Sequence, residues 1–311
     1  MQMIYDIEVR EVFMADGPGA TKGAVVITGA STGIGRACAF HMNKLGFHVF
    51  AGIRNEGDGR SLIEGSAGRI TPLLVEVTDS ASVAAAADRV AKTAGSTGLS
   101  GLVNNAGIAV GGPLEFLPLS EIRKQFEVNV IGQIAVTQAF LPQLRQARGR
   151  IVNISSIAGR VAFPYIGPYS ASKYAFEAIT DALRIELLPW GISVSVIEPG
   201  DVATPIWKKS LAAAQETARS FPSQAVYLYG HSLEAVTRAS EKASASAFDP
   251  VHVVRAVEHA LTAKNPKTRY LVGPGVRLRA ILKKVLPDRL FDRIIVRYIG
   301  LPGRPGGETR T

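Results

Sequence analysis

The sequence predicts an α/β fold: a doubly wound sheet of seven parallel strands flanked by helices, in a single domain with a C-terminal helical extension. Three observations carry the prediction. Short apolar runs alternate with helical stretches along most of the chain, the pattern of strands joined by crossover helices. The first apolar run passes through a glycine-rich turn directly into a helix. The 311 residues, 47% of them apolar, suffice for one large core, and no repeat at a solenoid period breaks the alternation.

Taken in order, the expected strands are Ala24 to Thr28, His48 to Ile53, Pro72 to Val77, Gly101 to Asn104, Arg150 to Ser155, Ser193 to Glu198 and Arg269 to Val272, with helices such as Ile34 to Leu45 between them. Right-handed crossovers would put the carboxyl ends of all these strands on one edge, where a dinucleotide lies across the reversal of strand order. The stretch Gly29, Ser31, Thr32, Gly33, Ile34, Gly35 stands at the first of those ends. Its glycines permit tight turning and close approach of the backbone to a pyrophosphate at the positive end of a helix. A glycine-rich turn can be only a turn, but a strand before it and a helix after it meet the context required of a dinucleotide site.

The chemistry is signalled by Pro-Tyr-Ser-Ala-Ser-Lys, in which Tyr169 and Lys173 are spaced i, i+4 and so share one helix face. A phenol titrates near 10, and a fixed cation beside it favours the phenolate. Ser156, at the end of the fifth apolar run, could polarise a carbonyl placed between its hydroxyl and the phenol. Alone, a Tyr-x-x-x-Lys is equally the mark of a solvated lysine beside a half-buried ring.

Together these residues resemble a known family. Thr28 to Gly35, Asn104-Asn105-Ala106-Gly107, Asn129 in Val-Asn-Val-Ile-Gly, the set Ser156, Tyr169, Lys173, and Pro199-Gly200-Asp-Val202-Ala-Thr204 follow, in order, the pattern of the short-chain dehydrogenases/reductases. The steroid and retinol dehydrogenase branch is similar in the segments around Phe126 and Pro199. The resemblance covers residues 22 to 205 and implies a Rossmann-type fold and hydride transfer between NAD(P) and an alcohol or ketone. It implies Tyr169 as proton donor or acceptor, Ser156 as oxyanion partner, Lys173 as both phenol tuner and ribose holder, and Asn129 as anchor of a relay water. It places Asn104 to Gly107 beside the adenosine, with at least one asparagine tying strands together. Glu76-Val77 would meet the adenine where the family usually has Asp-Val, and Pro199, Gly200, Val202 and Thr204 would hold the nicotinamide. Gly52 stands where NAD-preferring members carry aspartate, and Arg54 follows. This leans towards NADP over NAD, although Glu56 could fold back to the ribose.

Charge is uneven. From Val251 onwards there are 13 Lys or Arg against 4 Asp or Glu, so the net charge of +9 belongs to the tail. Residues 276 to 298 mix basic and apolar positions at helical intervals, interrupted at Pro287. Such a segment suits an anionic membrane surface, or packing on the core or on a second subunit of a homodimer or homotetramer. No nucleic-acid motif accompanies it, and no metal-ligand set is expected. Domain boundaries are expected at 1–21 for an N-terminal arm, with Met1 or Met14 as start, 22–275 for the dehydrogenase unit with an insert at about 205–250, and 276–311 for the basic extension. The single cysteine, Cys38, and the lack of an apolar run long enough to span a bilayer suggest a cytoplasmic protein.

The substrate pocket is expected over the nicotinamide, lined from Ile108 to Leu117, from Ile157 to Pro168 and by the insert after Thr204, with Ser156, Tyr165 and Trp207 as contacts and further aromatic residues from Phe116 to Tyr229 at hand. That lining suits a steroid, retinoid or long-chain carbonyl. The alternatives are a small or acidic keto compound, which Lys208 and Lys209 could meet, and a non-catalytic dinucleotide sensor.

Overall fold

The structure, a computed structural model, describes residues 21–66 and 68–302. The proposed N-terminal arm up to residue 20, with Met14, lies outside the described residues. Seven strands form one parallel sheet in the order β3-β2-β1-β4-β5-β6-β7. They are β1 (Ala24–Ile27), β2 (His48–Ile53), β3 (Ile70–Leu74), β4 (Gly101–Asn104), β5 (Arg150–Ile154), β6 (Ser193–Pro199) and β7 (Arg269–Val272). The order reverses between β1 and β4, opening a crevice at their carboxyl ends.

Strands covered on both faces must be apolar throughout, and β1 and β2 are buried at every position. On one face lie α1 (Gly33–Lys44), α2 (Glu56–Glu64) and α9 (Val251–Thr262), which contribute Cys38, Met42, Leu62 and Val257 to the core. On the other lie α3 (Ser80–Ala94), α5 (Gly132–Ala147) and α6 (Gly167–Glu186), the first two contributing Val83, Val90, Phe140 and Leu144. The buried Cys38 thiol is pushed up to about 12 by loss of solvent and is chemically inert.

β3 is displaced from its expected range of Pro72 to Val77. Its register with β2 runs from Val49 opposite Ile70 to Ile53 opposite Leu74, so Pro72 sits mid-strand. An edge strand tolerates this, because a proline without an N–H loses nothing on the side facing away from the sheet. Chain direction changes after Val75, and Glu76 and Val77 belong to the turn that precedes α3.

Beyond β6 the chain forms α7 (Ile206–Ala218) and α8 (Ser223–Ala245), and after β7 come α10 (Val276–Val285) and α11 (Asp288–Ile299), broken at Pro287. The basic tail is anchored: Val276 and Phe291 are buried with Ile157 and Val161, in the loop that follows β5. No helix among the described residues is long and apolar enough to cross a membrane.

One buried charge cluster joins these parts. Arg269 on β7 bonds Glu198 on β6 at 2.7 Å, Asp181 on α6 at 3.0 Å, and Glu177 on α6, while Arg160 bonds the other oxygen of Glu198. Glu198 has no solvent exposure. Arg269→Ala strands its carboxylate partners, and a loss of about 3 kcal/mol in stability is expected from chemical denaturation; an unchanged denaturation midpoint would show the cluster to be energetically idle.

Candidate active site

The glycine turn closes tightly on the loop after β4. A Cβ on Gly35 would lie 2.3 Å from the Gly29 carbonyl oxygen and 2.5 Å from Asn105 Nδ2, so no other residue fits there. Gly29 and Gly33 have φ of +63° and +58°, and a Cβ on Gly33 would press on Thr204 at 3.2 Å. Thr32 caps α1 without a side-chain bond, and no acidic residue stands in its first turn. The helix therefore presents free amides and positive potential beside Ser31 and Ile34, a cradle that fits a pyrophosphate.

The turn is held by Asn105, which donates to the Thr28 carbonyl at 2.8 Å and the Gly29 carbonyl at 3.1 Å. Thr28 Oγ1 accepts from the amides of Asn105 and Ala106. Asn104 is structural as well: it donates to Asn153 on β5 and to Thr137 on α5, both at 2.9 Å. Gly107 packs against Asn129. Pro199 to Thr204 crosses to the same crevice, held by Gly200 N–H to Val272 and by the Val202 bridge to Phe248.

At the end of β2, Gly52 is packed against Ile27, Thr28 and Val75, with Arg54 exposed after it and Glu56 in the first turn of α2. Glu76 turns back on Thr78, accepting from its hydroxyl at 3.0 Å and its amide at 3.3 Å, while Val77 is buried. One carboxylate oxygen of the glutamate is thus occupied locally.

Ser156, Tyr169 and Lys173 converge although they come from a loop and a helix. Ser156 lies two residues beyond β5 and caps the short turn Ile157–Gly159, its hydroxyl accepting from the Ala158 amide at 3.1 Å and acting on the Tyr169 phenol. Tyr169 is buried, and loss of solvent drives its phenol above the usual range, with the Asp201 charge adding to the rise and the Ser156 bond opposing it. Lys173 Nζ donates to the Ile154 carbonyl at 2.9 Å and lies 5.9 Å from the Tyr169 ring centre. Burial lowers Lys173 to about 8, against the raising influence of Glu177. Desolvation is the largest influence on both groups, raising the phenol and lowering the ammonium.

Asn129 sits in a π turn, Glu127–Ile131, that interrupts the helix running from α4 (Leu119–Phe126) into α5. Its amide is spent on the Ile108 backbone, at 2.9 and 3.0 Å, and on Ser172 Oγ at 3.1 Å. A π turn shifts the helical ladder by one residue and leaves a main-chain carbonyl unpaired.

Above Ser156 lies a cleft of about 270 Å³ with mainly apolar walls. Tyr165 and Trp207 line it with Ser156, and Tyr169 lies beneath, its ring 6.0 Å from that of Trp207. Tyr165 holds φ at +65°, a strained conformation for a tyrosine, and stacks edge-on with Tyr229, which in turn meets Phe116. Lys208 and Lys209, which could have met an acidic compound, are exposed and do not line the cleft. Sequence reasoning did not single out Asp201, Arg279, Tyr298 and Ile299, which do. Asp201 stood inside a recognised motif, but nothing near Arg279 indicated that a tail helix would reach this site. A wider depression lined by Lys22, Ser100 and Arg150 lies at the amino ends of the strands, away from this chemistry.

Comparison with known proteins agrees with the geometry. Residues 23–215 match the short chain dehydrogenase family. The chain belongs to that family. It is 35% identical to retinol dehydrogenase 5 of Mus musculus over 293 residues, covering 92% of this chain and 91% of that protein. A short-chain dehydrogenase from Burkholderia cenocepacia, solved in complex with NADP, shares 26% identity at a TM-score of 0.65, with 88% and 97% of the two chains covered. One from Burkholderia phymatum, solved with NAD, shares 25% at a TM-score of 0.72, with 85% and 95% covered. This short-chain dehydrogenase is accordingly an oxidoreductase that works between a nicotinamide dinucleotide and an alcohol or ketone.

The lowered Lys173 has a consequence for stability. Between about 8 and its ordinary 10.5 the unfolded chain holds a proton that the folded protein lacks, so this residue makes stability rise with pH through that window. Denaturation of the wild type and Lys173→Met across pH 7 to 11 should show this rise in the wild type alone; parallel curves would refute it.

Proposed function

We propose that this short-chain dehydrogenase interconverts a bulky, apolar alcohol and its carbonyl compound, such as a steroid, retinoid or long-chain carbonyl, with NADP as the preferred cofactor. The carrying observation is the cleft above Ser156, whose walls include Ile157, Phe163, Trp207, Leu211 and Phe221. Apolar walls of this kind gain free energy by taking carbon skeleton out of water and leave the orientation of the carbonyl to a few polar groups. The similarity to retinol dehydrogenase 5 supports the same substrate class.

In this reading the dinucleotide supplies or removes hydride at the substrate carbon. Tyr169 delivers a proton to the substrate oxygen during reduction and removes it during oxidation. Its raised pKa keeps the phenol protonated at neutral pH, as a donor must be. Ser156 donates a hydrogen bond to the oxygen as negative charge gathers there. Lys173, next along the helix face, holds the nicotinamide ribose and passes protons towards solvent. Because the Asn129 amide is engaged by Ile108 and Ser172, its part in the relay would fall to the main chain of the π turn. Gly29 to Gly35 hold the pyrophosphate, and Thr204 with Pro199 to Val202 the nicotinamide.

The preference for NADP is supported by the lack of an acid at Gly52 and by the exposed Arg54, whose guanidinium suits a 2′-phosphate. A cytoplasmic location belongs to the same reading, supported by the lone buried Cys38. Exposed Tyr174, Ile185, Leu188 and Trp190, on and just after α6, support a homodimer or homotetramer. The outer face of α10 and α11, with Leu278, Ile281 and Val285 exposed among basic residues, would suit contact with an anionic membrane surface.

Tyr169→Phe should lower turnover of a hydrophobic ketone at least 1,000-fold, on the order expected for loss of a general acid, while dinucleotide affinity stays close to wild type. Turnover within a few-fold of wild type would remove Tyr169 from its role. Arg54→Ala should raise the Kd for NADP about tenfold more than that for NAD. Equal effects on the two would remove the cofactor argument.

A further inference from the structure

Two charged side chains stand among the described residues lining the apolar cleft, and they face each other. Asp201 follows Pro199-Gly200 at the end of β6, and Arg279 reaches in from α10, 78 residues later in the chain. Their closest approach, Arg279 Nη1 to Asp201 Oδ2, is 3.4 Å, longer than a well-formed charged hydrogen bond, and each side chain keeps 31% exposure. Arg279 is steadied from behind by the Tyr298 ring, 5.6 Å away. Asp201 lines the cleft together with Gly200 and Ser156.

We propose that the Asp201–Arg279 pair is the specificity filter of this cleft, admitting elongated uncharged ligands that carry a hydroxyl and rejecting anionic ones. The inference rests on the reading of the cleft as the substrate pocket. The two charges cancel, so a carboxylate entering the cleft must take Arg279 from Asp201 and then sit beside the displaced like charge. A hydroxyl meets no such cost. It can accept from the guanidinium and donate to the carboxylate at once, and it adds no net charge beside the pair. The two residues come from the nicotinamide loop and the tail, so the filter exists only when the tail is docked.

The test is equilibrium binding of two matched probes, 1-decanol and decanoate, to the full chain. Wild type should bind decanol at least tenfold more tightly. Asp201→Asn, nearly isosteric, leaves Arg279 without its counter-charge and should shift the ratio about tenfold towards decanoate, the scale of one charge-assisted contact. Asp201→Asn with Arg279→Gln removes the cation as well and should take that gain away. The same decanol-to-decanoate ratio in wild type and Asp201→Asn overturns the filter, as does wild type favouring decanoate. Turnover of 2-decanone is measured separately: a shifted binding ratio without turnover leaves the filter standing and defeats the proposed reaction, whereas turnover with an unshifted ratio does the reverse.

Discussion

The structure depends on how Glu198 is neutralised. Its carboxylate is fully buried at the carboxyl end of β6, where an unpaired charge would be prohibitive, and Arg269 and Arg160 divide it between them. Arg269 also grips Glu177 and Asp181 on α6. Arg160 belongs to the loop that carries Ser156, α6 carries Tyr169 and Lys173, and β6 runs into Pro199 and Gly200. A single charge cluster therefore fixes, from behind, the serine, the phenol, the ammonium and the nicotinamide loop relative to one another. Glu177 also lies one turn from Lys173 and is the group opposing its desolvation, so scaffold and chemistry share an atom network.

The dinucleotide side is held by neutral hydrogen bonds. Asn105 and Thr28 fasten the glycine turn to the loop after β4, Asn104 links β4 to β5, and Gln133 reaches back to the Ala106 carbonyl at 2.7 Å. Uncharged ties suit this edge: a fixed cation or anion so close to the helix terminus would compete with the pyrophosphate or repel it. The π turn at Asn129 belongs to the same economy. It spends the asparagine side chain on Ile108 and Ser172.

The sheet was legible because burial on both faces imposes continuous apolar runs, and six of the seven strands stand within a residue or so of their expected limits. β3 was misplaced because a proline usually opens a strand, and the edge position that excuses Pro72 is a property of the assembled sheet. The site was legible where its geometry is local: Tyr169 and Lys173 share a helix face, and Gly29 to Gly35 is a single turn. It was illegible where desolvation decides. An i, i+4 cation promises a lowered phenol pKa, yet burial drives Tyr169 up and Lys173 down.

By itself the sequence determined the parallel α/β sheet, the tight glycine turn and the Ser156, Tyr169 and Lys173 triad, since each follows from periodicity or from steric demands within a short stretch. The tertiary structure alone decided what surrounds that triad. The basic tail, which composition could only describe as amphipathic, becomes a wall of the cleft when Val276 and Phe291 bury themselves against Ile157 and Val161. That docking brings Arg279 to Asp201 across 78 residues of chain. No local pattern encodes such a contact, because it arises from the packing of apolar faces whose partners are chosen only when the core closes.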